Sequence, residues 1–266
     1  MLYFVSTPVG NLKDISLRAL EVLNEVDLIA CEDTRTSLKL LNHFEIKKPL
    51  VAYHKFNEKT ASEKLIEELE KGKNIALITD AGTPVISDPG NLLTKLLTER
   101  GIEYTVIPGA TAFVPALILS GLDASRFCFI GFIPEKKREA EELLSKYKNL
   151  DMTLIFYSAP HDLKKTVETL YSVFGNRKAA TVKEITKLHE KVERFNLADN
   201  VSEENPRGEY VIIVEGGDGE ENPNLKLSIL EHINLYLSQG MSNMDAVKQV
   251  AKERKMPKSE VYKYTI

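Results

Sequence analysis

Cysteine is scarce: Cys31 and Cys128 are the two in 266 residues, and both sit inside apolar runs, LIAC and CFIGF. Two thiols cannot build a disulfide framework or a thiolate metal cage, so a reducing cytoplasm is the simplest setting and no metal centre is expected. Long apolar runs are missing too. None reaches the ~18 residues of a membrane span, and the opening MLYFVSTPVG has no basic segment before it breaks at Pro8 and Gly10, so neither membrane insertion nor a secretory leader is expected. There is no excess of positive charge: 35 Lys and Arg stand against 39 Asp and Glu, a net charge of -4. Bulk attraction to nucleic acid is thereby excluded, and such a partner would need a local basic face. Several chemical signatures are also absent. Neither GxxxxGK[ST] nor a GxGxxG after the first strand occurs, and HExxH, CxxC and GxSxG are missing. ATP hydrolysis, conventional dinucleotide binding, zinc proteolysis and hydrolase nucleophile elbows lose their support.

What is present is an alternation. The composition, 43% hydrophobic and 28% charged, is that of an ordinary globular chain and excludes disorder. Short β-branched and aromatic runs predict strands at about Tyr3–Ser6, Asp27–Cys31, Leu50–Tyr53, Asn74–Thr79 and Glu103–Ile107. Apolar residues three or four apart predict helices between them, at Leu17–Glu25, Thr36–Phe44, Ala61–Lys71 and Leu92–Arg100. A fifth helix, Thr111–Ser120, is apolar almost all round and should be buried between layers or domains. A second alternation follows, with strands Phe127–Phe132, Met152–Ser158, Lys178–Glu184 and Tyr210–Glu215 and helices near Ala140–Lys148 and Asp162–Phe174. The pattern reads as an α/β protein of βα units around mainly parallel sheets. The acidic GGDGEENPN at Gly216–Asn224 reads as a linker to helices at Leu225–Ser238, Ser242–Lys255 and Ser259–Tyr264. Three parts result: an α/β domain over 1–121, a second over 122–218, and a linker with a helical appendage over 219–266.

The informative residues sit where strands end, which is where open parallel sheets bind ligands. Ser6–Asn11 (STPVGN), Cys31–Ser37 (CEDTRTS), Thr79–Gly90 (TDAGTPVISDPG) and Ile107–Ala112 (IPGATA) are four such loops. Glycine admits a ligand close to the backbone, and proline fixes the turns. Together they suggest an adenosine-type or other small ligand held by backbone groups. Glu32 and Asp33 either cap the helix near Arg35 or act at a site; His54 is either a surface loop histidine or a site residue. The EKKR run holding Lys136, Lys137 and Arg138 is either a solvated helix start or a phosphate-holding patch. The stretch Met241–Ile266 carries six basic and three acidic residues and suits RNA docking or plain packing.

STPVGNLKDISLRALEVLNEVDLIACEDTR, followed in order by LLNHF, YHKFNE, DAGTPVISDPG, PGATA, GFIP, FYSAPH and KEITKLHE, resembles the bacterial 16S rRNA cytidine 2'-O-ribose methyltransferases of the tetrapyrrole methylase superfamily. The resemblance covers about Leu2–Gly216. It implies two class III methyltransferase α/β domains, with S-adenosylmethionine (SAM) in the cleft between them, and a homodimer acting on 16S rRNA, within the 30S subunit. On that basis the cofactor would meet Pro8, Asp80, Ala81, Gly82, Thr83, Pro84, Val85, Pro108, Gly109, Ala110, Thr111, Ala112, Tyr157, Ser158, Ala159 and Pro160. Gly82 would leave the ligand its space. The group that takes the hydroxyl proton would be among Glu32, Asp33, His54, Lys183 and Glu184, and Arg35, Lys55, Lys136, Lys137 and Arg138 would hold RNA. Asp162 and Lys183 stand where the family more often has arginine, and the second change loses a bidentate fork while keeping the charge. Two other readings compete: SAM-dependent methylation of a tetrapyrrole or other small molecule, and a non-catalytic RNA-binding protein.

Overall fold

The computed structural model describes residues 1–202, 208–219, 223–254 and 256–265. Its first sheet holds β1 (Leu2–Val5), β2 (Leu28–Cys31), β3 (Leu50–Ala52), β4 (Ile75–Ile78) and β5 (Tyr104–Ile107) in the order β3-β2-β4-β1-β5. Every neighbouring pair is parallel. The central strands LYFV, LIAC and IALI are continuous apolar runs because helices cover both faces. Successive side chains then divide between two cores. Val5, Ile29, Cys31 and Ile78 pack with Leu23 of α1 (Leu17–Glu25) and Leu41 of α2 (Thr34–His43). Phe4, Ala30, Ile75 and Leu77 face the other way, onto Leu65 and Ile66 of α3 (Glu58–Glu70) and Leu93 and Leu97 of α4 (Asn91–Arg100).

The second sheet departs from expectation. It contains β6 (Phe127–Phe132), β7 (Thr153–Ser158), β8 (Lys178–Lys183), β9 (Lys191–Asn196) and β10 (Tyr210–Val214) in the order β6-β7-β10-β8-β9. Only β6 and β7 are parallel. β7 and β8 are separated in sequence by a helical crossover, but β10 slots between them running opposite to both. β9, absent from the sequence expectation, is the charged segment KVERFN. The link 184–190 that precedes it is too short for a parallel crossover, so it pairs antiparallel with β8 and forms a sheet edge.

α5 (Phe113–Ser120) is not buried all round. Ala116 and Leu117 pack on the second sheet with Ile155, Val182, Val211 and Ile213, while Val114 (44%) and Ile118 (70%) remain exposed. Residues 1–145 and 152–215, which hold both sheets, α6 (Lys137–Ser145) and α7 (Leu163–Phe174), form one compact unit. Residues 146–151 and 216–266 form the other. There α8 (Ile229–Ser238), α9 (Asn243–Glu253) and α10 (Lys258–Tyr262) enclose Ile233, Ala246, Val250 and Val261. Ser228 and Glu231 make a capping box at α8, and Ser242 caps α9 through the Asp245 amide. Of the expected linker, residues 220–222 lie outside the described ones, as does Lys255 of the expected helix. No helix among the described residues is long and apolar enough to cross a membrane.

Leu77, 2% exposed in the centre of the first sheet, carries one of these two cores. Leu77→Ala is expected to lower unfolding free energy by about 2–5 kcal/mol, measured by denaturant titration.

Candidate active site

Because the first sheet is parallel, the loops after β1, β2, β4 and β5 gather at one edge. The second sheet meets them with the ends of β6, β7 and β8. The start of β10 joins these ends because that strand runs antiparallel, placing Tyr210 opposite both Ser158 and Lys183. Between the two sets lies a cavity of about 300 Å³, at the lower end of the range that takes a small organic ligand. Val9, Glu32, Thr79–Thr83, Ile86–Asp88, Thr111 and Ala112 form one wall; Phe132, Tyr157, Val182, Glu184, Ile185, Lys187 and Glu209–Val211 form the other.

The loops are locked to one another by short bonds. Thr7 N donates to Gly82 O (2.9 Å) and Gly82 N to Thr7 O (3.1 Å). The Thr7 hydroxyl donates to Thr79 O (3.1 Å) and the Thr83 hydroxyl to Ala110 O (3.0 Å). Glycine at 82 is required by its φ of +85° rather than by crowding, since an added Cβ would meet only Ala110 O at 3.6 Å and Val9 Cγ2 at 3.8 Å. Beyond it Val85 (φ +76°) and Ser87 (φ +67°) hold the left-handed region, as do Glu184 (φ +49°) and Thr186 (φ +63°) on the opposite side. A β-branched residue in that region is an outlier, and strain of this kind collects at functional sites. The loop's far end is anchored by Glu58, whose Oε1 accepts from Gly90 N (2.9 Å) and Leu92 N (3.2 Å) and so serves the open amides at the start of α4.

The cavity is strongly acidic. Among the described residues, Glu32, Asp80, Asp88, Glu184 and Glu209 line it with one lysine, Lys187, which pairs with Glu184 at 3.0 Å. Burial, then repulsion from Glu32, Asp80 and Glu209, pushes the Asp88 carboxyl up to about 7, against a hydrogen bond from Thr79 that lowers it. Burial and Asp80 likewise raise Glu32, whose Oε2 accepts from the Thr79 hydroxyl at 3.2 Å. Asp80 is also raised by burial, although the Asp33 amide donates to it at 3.3 Å. Tyr157 is pushed up to about 12 by burial and stands edge-on to Phe129 and Phe132, centroids 5.0 and 5.5 Å away.

Of the residues the sequence nominates, Glu32, Asp80, Ala81, Gly82, Thr83, Thr111, Ala112, Tyr157 and Glu184 meet in this cavity. Pro8, Pro84, Val85, Pro108, Gly109 and Ala110 belong to the same loops but do not line the cavity; a Cβ on Gly109 would lie 2.8 Å from Ser6 Cβ. Ser158 and Ala159 line a smaller neighbouring cavity with Lys137, and Pro160 opens the turn after it. Asp33 caps α2, accepting from Arg35 N at 2.8 Å and pairing with the guanidinium at 2.7 Å, contacts that hold its carboxyl down at about 2. Such a carboxyl is a poor proton acceptor at neutral pH. His54 lies at the end of β3, outside the wall, its amide held by Asn57 Oδ1 at 2.8 Å. Lys183 ends β8 opposite Lys191. Arg35, 87% exposed, is engaged by Asp33, and Lys55 is exposed. Lys136, Lys137 and Arg138 each pair with a glutamate one turn on, Glu139, Glu141 and Glu142, so the run is neutralised by its own helix. Asp162 pairs with His161 at 3.2 Å. The sequence reading missed Thr79, Ser87, Asp88, Lys187 and Glu209. Thr79, Ser87 and Asp88 lie inside a loop already singled out and Lys187 inside the quoted stretch KEITKLHE, whereas Glu209 has no local signal.

A carboxyl raised from its ordinary 3.8 to about 7 favours folding most at low pH, and that contribution is lost as pH rises through 7. Asp88→Asn is therefore expected to raise Tm, by an increment that grows between pH 5 and pH 8. A melting series across that range checks it.

Comparison with known proteins agrees with this geometry. Residues 1–200 match the family model described as Tetrapyrrole (Corrin/Porphyrin) Methylases. A protein of Halalkalibacterium halodurans named ribosomal RNA small subunit methyltransferase I is 43% identical over 98% of this chain and 93% of its own length. A Bacillus subtilis protein of the same name is 41% identical over 98% and 92%. Among solved structures, a diphthine synthase superposes with a TM-score of 0.66 at 20% identity over 81% of this chain and 89% of that one. The Thermus thermophilus uroporphyrin-III-C-methyltransferase gives 0.58 at 21% over 80% and 93%. The chain belongs to the tetrapyrrole methylase family, among the members that carry the name ribosomal RNA small subunit methyltransferase I.

Proposed function

We propose that this chain transfers a methyl group from SAM to the 2'-hydroxyl of a cytidine ribose in the decoding region of 16S rRNA, within the 30S subunit. The observation that carries the reading is the cavity itself: strand-end backbone on one side, aromatic rings on the other and, among the described residues, five carboxylates against one lysine. This donor set fits a ligand with a sulfonium and an ammonium, because the local field favours positive charge. The backbone of Asp80–Thr83 with Thr111 and Ala112 would hold it, and Phe132 and Tyr157 would exclude water. When bound, SAM supplies an electrophilic methyl group whose leaving group is neutral. The protein must then orient a weakly acidic hydroxyl and take its proton. A nucleotide presents that hydroxyl without bringing its phosphates inside, and Arg35 and Lys55 lie at adjacent strand ends, outside the cavity wall, to meet the backbone. A tetrapyrrole bearing carboxylates would instead meet Glu32, Asp80, Asp88 and Glu209 with like charge, which disfavours the small-molecule reading. Calorimetry should detect SAM binding, and label from SAM should pass to 30S subunits rather than to a porphyrinoid; absence of both would overturn the proposal.

The exposed pair Val114 and Ile118, one turn apart on α5, supports a two-fold homodimer with an apolar interface. Light scattering at micromolar concentration should give twice the chain mass, and Ile118→Asp should give one. A monomeric mass for the unaltered protein would sink this.

A further inference from the structure

Phe56 is 95% exposed, the most open of the large apolar side chains among the described residues. A lone exposed phenyl is ordinary on a surface, but two observations set this one apart. The first is that its loop is fixed. Tyr53 N donates to Cys31 O (2.8 Å), which ties the loop to the end of β2, and the buried Tyr53 donates its hydroxyl to Glu58 Oε1 at 3.3 Å. The Asn57 side chain then closes the turn, Oδ1 accepting from His54 N (2.8 Å) and Nδ2 donating to Ala52 O (3.0 Å), while Asn57 N donates to His54 O (3.0 Å). The backbone on both sides of Phe56 is thus held while its ring stands in solvent, with the His54 ring edge-on to it, centroids 6.2 Å apart.

The second is its company. Lys55 precedes it and Lys59 follows in the first turn of α3, both exposed, and among the described residues neither is ion-paired. Exposed Arg35 follows the neighbouring strand, β2. Of the carboxylates after these two strands, Asp33 is held by Arg35, Glu58 serves the Gly90 and Leu92 amides, and Glu32 lines the cavity. The loop also adjoins that cavity: burial and Asp80 raise the Glu32 carboxyl, and His54 lies near enough to act against them. From the cavity outward the order is therefore Glu32, His54, Phe56. A nucleotide carries the matching pair of features, a flat base beside an anionic phosphate, whereas an apolar protein partner would leave Lys55 unmatched.

We propose that Phe56 is a stacking platform for the unpaired nucleobase next to the nucleotide whose ribose enters the cavity, with Lys55 on the adjoining phosphate. This rests on the rRNA methyl-transfer reading. A phenyl face stacks on any base, so it contributes affinity and places the strand rather than selecting its sequence. Because the loop is already ordered, little conformational freedom is lost on binding. Only an unpaired base offers its face, so the subsite favours RNA that is locally single-stranded.

The test uses the full-length protein, SAM and 30S subunits. Phe56→Ala should raise KM for 30S subunits by about tenfold or more. Its Tm, its SAM affinity by calorimetry and the salt dependence of its 30S binding should match the wild type, since neither a buried contact nor a charge is removed. Phe56→Trp should keep the wild-type KM, and Phe56→Leu, apolar but without a π face, should behave as Phe56→Ala. The sequence has no tryptophan, so Phe56→Trp also installs a unique indole fluorophore. A single-stranded RNA oligonucleotide should quench its emission, and the same sequence in a duplex should not. Wild-type KM in Phe56→Ala would overturn the proposal. So would wild-type KM in Phe56→Leu, which would assign the ring to an apolar protein contact, or a halved mass of Phe56→Ala in light scattering, which would assign it to contact between copies of this chain. If the unaltered protein binds SAM yet methylates no 30S subunit, the methyl-transfer reading fails, and quenching of Phe56→Trp by single-stranded RNA then decides the stacking alone. Absence of quenching overturns the proposal in either case.

Discussion

Parallel strands all end on the same edge, and that one constraint organises the catalytic half of this molecule. β1, β2, β4 and β5 cannot place their following loops anywhere else, so four stretches widely separated in sequence become neighbours without any contact having to be specified individually. What remains to be specified is the spacing among the loops. The bonds from Thr7 to Gly82 and Thr79, and from Thr83 to Ala110, do this at 2.9–3.1 Å. The second sheet adds a wall by the opposite device. An antiparallel strand, β10, contributes its beginning where its neighbours contribute their ends, which is how Glu209 and Tyr157 come to share a cavity.

The cavity is a place where stability and chemistry oppose each other. Gathering Glu32, Asp80, Asp88 and Glu209 raises the proton affinity of several of them at a cost in folding free energy, and the left-handed φ of Val85 and Ser87 adds strain in the same loop. The two apolar cores on either side of the first sheet, with Phe4, Ile29, Ile66 and Leu77 at or below 2% exposure, offset that cost. Sites that keep like charges close are expected to sit on rigid, deeply buried elements.

Much of this was legible in the amino-acid order, and what was not has identifiable causes. The first sheet read well because its strands are buried on both faces and flanked by amphipathic helices. The second did not reveal its direction, since β10 pairs with strands far from it in sequence, and local pattern says nothing of that. β9 escaped because KVERFN lies at an edge, where charged side chains replace the apolar run. Within the site, glycine and proline marked the loops, but rank among the acids depends on burial and partners. Asp33 and Glu32 are adjacent in sequence and opposite in behaviour, one holding a helix end and a guanidinium, the other turned toward Thr79. The basic run at Lys136–Arg138 shows the same limit, because its charge is cancelled by glutamates one turn away on α6.

The second compact unit is stitched from two distant stretches, residues 146–151 and 216–266, and Gly217 N donates to Leu150 O at 2.7 Å within it. On the ribosome, the earlier stretch leaves the exit tunnel more than sixty residues before its counterpart. It must wait through the synthesis of β7, α7, β8, β9 and β10 before its partners exist. The bond from Gly217 to Leu150 therefore closes a covalent loop that holds β7, α7, β8, β9 and β10, and it cannot form before all five have been synthesised.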